Sequence, residues 1–428
     1  MARGSRITSI TAREIFSRRG HPSIEATVTT ENGAVGVAEA TAGLSVGEHE
    51  VQFAYDGGEK WGGRGVMKAV GFVHDLIAPA LAGIDASKQW EVDQVLLELD
   101  STPNKAKLGG NTTASVSAAA LKAGAASLGI PLYQHIGGVN ACTLPVPGVG
   151  ILNTLERYGG DPIHGDKPSY AYMAYGFDTY SDASYACWQI RSMYMKLIQE
   201  RFNLKTVHDG RIIIPEGAVD HEEEIWKLMT EAIEKTGFVD RIGIQVDVAA
   251  GTYFNRDKGV FEYLFSRDPK TKEELMDLYR SMVKNYPFIV LEDPLHEDDY
   301  EGHAVLTREL GIQVVGDDTF TTNMDRLREG TAIGACNCVL LKVNQIGTIS
   351  EAFDTVNFAY SKGYGVMPCS SRGEGPAIAD YTVGLGTGNI RESGLDPNAN
   401  RLRQIEAELG SRAYFPGKAG FKLGPVTA

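Results

Sequence analysis

Hydrophobic and polar positions alternate differently in the two parts of the chain. In the first part, three short runs with strand character come before any helical pattern, at residues 7–10, 24–30 and 35–40. Longer runs with helical spacing of their hydrophobic residues follow at 65–81, 87–99 and 113–128. Strands followed by helices predict an α+β unit, which we place at residues 1–135.

After Pro131 the pattern changes to an alternation of strands and helices. Helical stretches separate the later strands, as at 272–285, 324–330 and 349–362. The predicted strands are 144–152, 170–175, 205–209, 242–250, 288–292, 312–316, 338–343 and 365–368. This order predicts an α/β fold with a modified (β/α)8 barrel at residues 143–428, in which 153–169 form an irregular start.

Composition narrows the classes of partner. The chain has 428 residues and a formal net charge of −14, which argues against nucleic acid or an anionic membrane as the main partner. No run reaches the roughly 20 apolar residues that span a bilayer, and residues 1–6 contain no apolar signal core. The five cysteines are scattered and suggest no disulfide framework. We therefore expect a cytoplasmic protein.

Four charged residues stand at the ends of successive predicted strands. Asp247, Glu292, Asp317 and Lys342 are separated by 45, 25 and 25 residues. An interval of about 25 residues is one strand–helix step, so each residue falls on the next strand at the same end of the barrel. Active sites of such barrels form at that end.

The types of these residues indicate a metal site with a base beside it. Three converging carboxylates repel one another unless a cation lies between them, and oxygen ligands suit octahedral Mg²⁺. The lysine can act as a base if a nearby metal lowers its pKa. The alternative is that the four residues form salt bridges that close the end of the barrel.

The residues around these positions resemble the enolase family. The similar segments run nearly from end to end and include 12–15, 19–22, 108–111, 144–147, 291–294, 315–318, 341–347, 378–380 and 403–406. The resemblance implies an N-terminal α+β capping domain, a barrel with an antiparallel start and a homodimer or higher homo-oligomer. It also implies that Asp247, Glu292 and Asp317 hold Mg²⁺ and that Lys342 removes the proton α to a carboxylate.

The sequence departs from the family at groups that transfer protons. Ala42 stands where the family has a loop serine that helps to bind a second Mg²⁺, and Arg157 stands where the family has a histidine. The glutamate of the Gln-Glu-Phe motif falls at or near Ser169. The glutamate that assists loss of the hydroxyl has no counterpart at 208–212, which leaves His208 and Asp209 as candidate acids or bases.

The remaining departures favour binding of an anion. The family's Ser-His-Arg-Ser-Gly-Glu motif corresponds to residues 368–374 with a shift of one residue, and Ser370, Ser371 and Arg372 there are candidate phosphate ligands. Arg391 stands where the family has a lysine near the end of the barrel. Arginine binds phosphate or carboxylate through two hydrogen bonds and is a poor proton donor. We therefore expect Arg157, Arg372 and Arg391 to bind a small phosphorylated or phosphonylated carboxylate.

Three hypotheses about function follow. The first is an Mg²⁺ enzyme that recognises a 2-phosphoglycerate- or phosphoenolpyruvate-like acid but performs altered chemistry, as in carboxyphosphonoenolpyruvate synthase of phosphonate biosynthesis. The second is an ordinary phosphopyruvate hydratase with rebuilt acid and base groups. The third is a catalytically inactive enolase fold that acts as a binding protein. The sequence favours the first, because the group that protonates the departing hydroxyl is missing.

Overall fold

The computed structural model describes residues 4–18, 20–43, 46–154, 167–203, 211–214 and 217–426, with side chains except at 152–154 and 211–213. Three residues predicted for the site, Arg157, His208 and Asp209, lie outside the described residues, as does the predicted strand at 205–209. The roles expected for them therefore stay predictions.

The N-terminal unit is a three-stranded sheet covered by helices. The antiparallel sheet has the order β1 (Ile7–Phe16), β2 (Pro22–Thr30), β3 (Val35–Ala40). Alternate residues of β2 and β3 are buried, as expected for a sheet with one covered face. The helices are α1 (Met67–Phe72), α2 (Ala78–Leu81), α3 (Gln89–Leu99), α4 (Gly110–Leu128) and α5 (Leu132–Gly137).

Small residues let α4 lie directly against this sheet. A Cβ added at Gly36 of β3 would lie 2.0 Å from the carbonyl oxygen of Ala119 in α4, so only glycine permits this approach. Gly129 ends the helix in the left-handed conformation, with φ of 68°.

The second unit contains a closed sheet whose strands run mostly parallel. Its strand order is β13, β12, β11, β10, β7, β5, β4, β14, while β6 pairs with β4 and β8 pairs with β9. The bounds are β4 (Val146–Thr154), β5 (Ser169–Ala174), β6 (Arg211–Ile213), β7 (Ile242–Asp247), β8 (Phe254–Asn255), β9 (Val260–Phe261), β10 (Phe288–Glu292), β11 (Gln313–Gly316), β12 (Cys338–Leu341), β13 (Gly365–Pro368) and β14 (Asn389–Ser393).

Only β5 runs against its neighbours on this path, pairing antiparallel with both β4 and β7. A parallel bridge between Val366 and Gly388 connects the two ends of the strand order. The structure therefore confirms the modified barrel with an antiparallel start.

Amphipathic helices surround the barrel. They are α6 (Tyr180–Phe202), α7 (Glu223–Thr236), α8 (Lys272–Asn285), α9 (Tyr300–Leu310), α10 (Met324–Ile333), α11 (Val343–Ile346), α12 (Ile349–Ser361), α13 (Ala377–Leu385) and α14 (Pro397–Leu409). The sequence signals for α8 are clear, because Thr271 and Glu274 form a capping box and the buried residues recur at helical spacing. Helices such as α6, α9 and α12 pack directly against strands of the barrel.

Polar contacts join the two units. Lys105 of the N-terminal unit forms a 2.8 Å ion pair with Glu351 of α12. The buried Asp93 of α3 accepts hydrogen bonds from the backbone nitrogen and the hydroxyl of Ser350, at 2.8 and 2.7 Å. The proposed division of the chain after residue 135 stays a prediction.

Within the described residues, no single helix has the length and apolar character needed to cross a membrane. One bent pair, Gly110–Leu128 with Leu132–Asn140 at 94°, passes the same test by length and composition only.

A candidate active site at the carboxyl ends of the barrel strands

The barrel brings four residues predicted for the site to one end. Asp247 and Glu292 are the last residues of β7 and β10 and lie opposite each other in the parallel register. Asp317 and Lys342 directly follow β11 and β12. All four are buried. Buried charges are costly unless they are paired, so the partners of each group determine what the site can do.

Lys342 and Asp317 form a direct ion pair between Nζ and Oδ2. The second oxygen of Asp317 accepts a 2.8 Å hydrogen bond from Gln345. Burial would raise the pKa of Asp317, but the charge and hydrogen bond of Lys342, together with the charges of Arg372 and Lys167, lower it to about 2. Burial would lower the pKa of Lys342, but Asp317, Cys369 and Glu292 together raise it. In this arrangement Lys342 is a protonated ammonium.

Arg391 lies across two of the three predicted metal ligands. Its guanidinium contacts Oδ2 of Asp247 through Nη2 and Oε1 of Glu292 through Nη1, the latter at 3.3 Å. Nη2 also donates to the hydroxyl of Ser169 at 3.1 Å, and Nη1 lies 4.0 Å from Sγ of Cys369. The structure thus places Arg391 in the site, with the carboxylates as its partners.

Lys167 is a site residue that our sequence analysis missed. Its ammonium forms an ion pair with the same oxygen of Asp247 that Arg391 contacts. The antiparallel register explains the position, because Ser169 lies opposite Asp247 and Lys167 precedes it by two residues. Burial and the charge of Arg391 lower the pKa of Lys167 to about 8. No motif marks this lysine, and only the strand register could have revealed it.

The predicted phosphate-binding residues follow β13, but their partners belong to the protein. The Arg372 guanidinium binds the carboxylate of Glu50, including a 2.6 Å hydrogen bond from Nη1. Ser370 accepts a 2.9 Å hydrogen bond from Asn398, and Ser371 is half-buried. These three side chains lie on one loop, and their contact with a phosphate stays a prediction.

One oxygen among the three predicted metal ligands is available for a divalent cation. Oδ1 of Asp247 is buried and has no hydrogen-bond partner among the described residues, which is costly unless a cation binds there. A second acidic group lies nearby, where ligand oxygens of Asp293, Asp317 and Asp318 lie within 4.8 Å of one another. Within the described part of the chain this is the one such group, so the ligand oxygens of Asp247, Glu292 and Asp317 do not all lie within 4.8 Å of one another.

The carboxylate of Asp293 already has partners in the fold. It accepts hydrogen bonds from the backbone nitrogens of Asp317 and Asp318, at 3.1 and 2.8 Å, and from the Thr319 hydroxyl at 2.9 Å. Burial and the charge of Asp317 raise the pKa of Asp293 to about 7, and burial raises that of Asp318 well above its usual value. Asp293 therefore orients the loop after β11. Of the three predicted metal ligands, Asp247 is the one that has a buried oxygen without a hydrogen-bond partner among the described residues.

The segment between the N-terminal sheet and α1 reaches over this end of the barrel. Glu48 pairs with Arg256 at 3.0 Å, and His49 contacts Asp298 at 2.8 Å. A Cβ added at Gly47 would lie 2.9 Å from Oδ1 of Asp318, so the backbone itself approaches the acidic loop. Residues of the N-terminal unit thus complete one wall of the site.

Comparison with known proteins agrees with this architecture. The family model described as Enolase, N-terminal domain, matches residues 7–136, and the model described as Enolase, C-terminal TIM barrel domain, matches residues 141–423. A protein named Enolase from Methanopyrus kandleri is 39% identical over 98% of this chain and 99% of its own length. An Enolase from Thermococcus kodakarensis is 39% identical over 96% of this chain and 97% of its own length.

The similarity extends over nearly the full length of both this chain and its relatives. A third relative, the Enolase of Methanocaldococcus jannaschii, is 38% identical over 95% of this chain and 96% of its own length. The chain therefore belongs to the enolase family and is an enzyme of the carbon–oxygen lyase type.

Proposed function

We propose that this chain is a magnesium-dependent lyase that removes the proton α to the carboxylate of a 2-phosphoglycerate-like acid, with Lys342 as the base. The observation that supports this most is the position of Lys342 Nζ, which contacts Asp317 beside the other two strand-end carboxylates. The curated relatives named Enolase favour dehydration of 2-phosphoglycerate as the reaction.

Asp247, Glu292 and Asp317 would hold the ion, which when bound supplies positive charge to stabilise the acid as its α-proton leaves. The protein's own residues explain how the base is prepared. Lys342 is protonated while Asp317 is its partner, so it must lose that proton before it can accept one from substrate. If Asp317 held the ion, Lys342 would no longer have that carboxylate as its own partner, and its ammonium would lose a proton more readily.

The second half of the reaction requires a group that protonates the departing hydroxyl. His208 and Asp209 are the candidates from sequence, and a general acid contributes roughly 10²–10⁴ in rate. The anion-binding loop of Ser370, Ser371 and Arg372, together with Arg157, would hold the phosphate.

A second candidate function is altered chemistry on a related acid, of the carboxyphosphonoenolpyruvate synthase type. A specific observation favours it: Lys167, Ser169 and Arg391 meet at Asp247, where the family pattern has a glutamate and a lysine. Two cations beside a hydroxyl replace a carboxylate that could transfer a proton. Such a site suits a substrate or leaving group with additional negative charge.

The test is direct assay of 2-phosphoglycerate dehydration in Mg²⁺, followed by the absorbance of the enol product, with Lys342→Ala as the matched inactive control. Turnover in the wild type that the variant lacks supports the hydratase. Absence of turnover in the wild type, while 2-phosphoglycerate still raises the melting temperature with Mg²⁺, rejects the hydratase and favours the second candidate.

The proposal includes a cellular location and an oligomeric state for the enzyme. We expect the enzyme to act in the cytoplasm as a homodimer or higher homo-oligomer on a small phosphorylated or phosphonylated carboxylate, without nucleic acid. An inactive binding protein is disfavoured, because buried carboxylates without a metal-dependent role would be costly to keep. Sedimentation of the purified protein tests the oligomeric state.

A further inference from the structure

Three carboxylates and three cations balance one another at the end of the barrel. Asp317 is paired with Lys342, Glu292 with Arg391, and Asp247 with both Arg391 and Lys167. The side chains of Lys167 and Arg391 are each only 13% exposed, so water compensates their charge poorly. A divalent ion that binds these carboxylates adds two positive charges to a cluster that is already neutral.

The two cations on Asp247 are not equally dependent on it. Arg391 also contacts Glu292 and Ser169, so it keeps these two partners if a metal ion binds Asp247. Among the described residues, Asp247 is the one ion-pair partner of the Lys167 ammonium. The Tyr253 hydroxyl donates a 2.5 Å hydrogen bond to the Lys167 carbonyl, which ties the backbone of Lys167 to the loop after β7.

We propose that Lys167 is a substrate-binding residue, which is paired with Asp247 in the ligand-free chain and binds an anionic group of the substrate once Mg²⁺ occupies Asp247. This inference rests on the proposed function, because it requires the ion at Asp247. The ion repels the ammonium and also competes for its carboxylate, so Lys167 needs a new anion within reach. Carboxylate and phosphoryl oxygens both satisfy it.

This role gives the site a preference for strongly charged substrates. Lys167 precedes the position at or near which the family pattern has a glutamate, and so contributes positive charge where that carboxylate would contribute negative charge. The substrate class is therefore an acid that carries a carboxylate and a phosphoryl or phosphonyl group, with an anionic oxygen directed at the start of β5.

The experiment is a pair of calorimetric titrations on Lys167→Gln, first with MgCl₂ alone and then with phosphoenolpyruvate in saturating Mg²⁺. The proposal requires opposite effects. Mg²⁺ should bind at least about threefold more tightly to the variant, because the Lys167 ammonium no longer competes with it for Asp247. Phosphoenolpyruvate should bind about tenfold more weakly, because a charge-assisted hydrogen bond is lost.

Inorganic phosphate and pyruvate, titrated separately, identify which group of the substrate Lys167 binds. Lys167→Arg should restore phosphoenolpyruvate binding, since it keeps the charge. Lys88→Gln is the matched control, because it removes the same charge from an exposed pair at the start of α3 and should change neither titration.

A further variant tests the inference should Lys167→Gln fail to fold. Asp247→Asn frees the Lys167 ammonium and removes one of the partners of Arg391, so it should bind inorganic phosphate without Mg²⁺ more tightly than the wild type does. Unchanged or weaker phosphate binding overturns the inference.

The outcomes separate the two proposals. A wild type that binds no Mg²⁺ rejects the proposed function itself. Suppose that the wild type binds both Mg²⁺ and phosphoenolpyruvate. If Lys167→Gln then leaves both affinities unchanged, or weakens both, only the role of Lys167 is rejected.

Discussion

The carboxylate of Glu50 and the guanidinium of Arg372 form a two-point ion pair in which each side chain is only 2% exposed. Glu50 follows the N-terminal sheet, whereas Arg372 lies on the loop after β13 of the barrel. Asn344 donates to the Arg372 carbonyl and Thr41 donates to it at 3.0 Å, so the backbone of that loop is fixed as well. The pair therefore couples the wall of the site to the barrel.

Glu50→Gln should destabilise the protein strongly. It leaves the buried Arg372 without its counter-charge, and breaking a buried pair in this way costs about 3–5 kcal/mol. Urea unfolding followed by circular dichroism measures the loss. Replacing both members by methionine should recover most of it, because no unpaired charge then remains buried.

The control for that experiment is Glu25→Gln. It removes the partner of Arg13, whose side chain is 71% exposed, and surface pairs contribute little to stability. Equal losses in the buried and the surface variants would show that the Glu50–Arg372 pair is solvated in solution.

Lys342→Met should abolish exchange of the α-proton. In D₂O, the wild type should incorporate deuterium into 2-phosphoglycerate faster than it completes turnover, and the variant should be slower by about 10²–10⁴ because the base is gone. Nuclear magnetic resonance of the substrate measures the exchange separately from dehydration. Exchange that persists in the variant would place the base on another residue.

Much of the site could be predicted because barrel geometry is periodic. Asp247, Glu292 and Asp317 each end or follow a hydrophobic run, and one strand–helix step fixes where the next strand ends. The same logic failed at β14, whose five residues, Asn389–Ser393, include a single apolar side chain. A strand that short and polar is not distinguishable from a loop by hydrophobic pattern.

Mg²⁺ should raise the melting temperature through the three strand-end carboxylates. An ion at 100 times its dissociation constant stabilises the folded state by about 2.7 kcal/mol. Asp247→Asn should eliminate this shift, because it removes the carboxylate whose buried Oδ1 has no partner. Thermal unfolding with MgCl₂ and with EDTA measures the difference.

Asp318→Asn is the matched control for the metal experiment, since Asp318 belongs to the second acidic group. It should keep the Mg²⁺-dependent shift. The reverse result, with the shift lost in Asp318→Asn and kept in Asp247→Asn, would move the metal to the group of Asp293, Asp317 and Asp318.

Contacts between distant segments are the part that the sequence could not supply. Arg372 has the residue type and the place of a phosphate ligand, yet its partner Glu50 lies 322 positions away in a different unit. Lys167 reaches Asp247 only because β5 runs antiparallel, and nothing in its own neighbourhood indicates that direction. Hydrophobic periodicity places residues on strands, but it does not choose the partner of a charge.

Lys122 should make stability depend on pH in the alkaline range. It lies on α4 and donates to the carbonyl of Val37 at 2.8 Å, and burial lowers its pKa to about 8 although the charge of Glu39 opposes the shift. An unfolded lysine has a pKa of about 10.4, so between these values the unfolded chain binds more protons than the folded chain. The free energy of unfolding therefore rises from about pH 8 to about pH 10.4 through this group, and the penalty for burying the ammonium is present below that range.

Lys122→Met lacks the titration, so the difference in free energy of unfolding between wild type and variant should shift in favour of the wild type over this range. Urea unfolding of both proteins at half-unit steps measures it, and groups that titrate in both cancel. A difference that stays constant across the range would mean that the Lys122 ammonium remains hydrated in the folded protein.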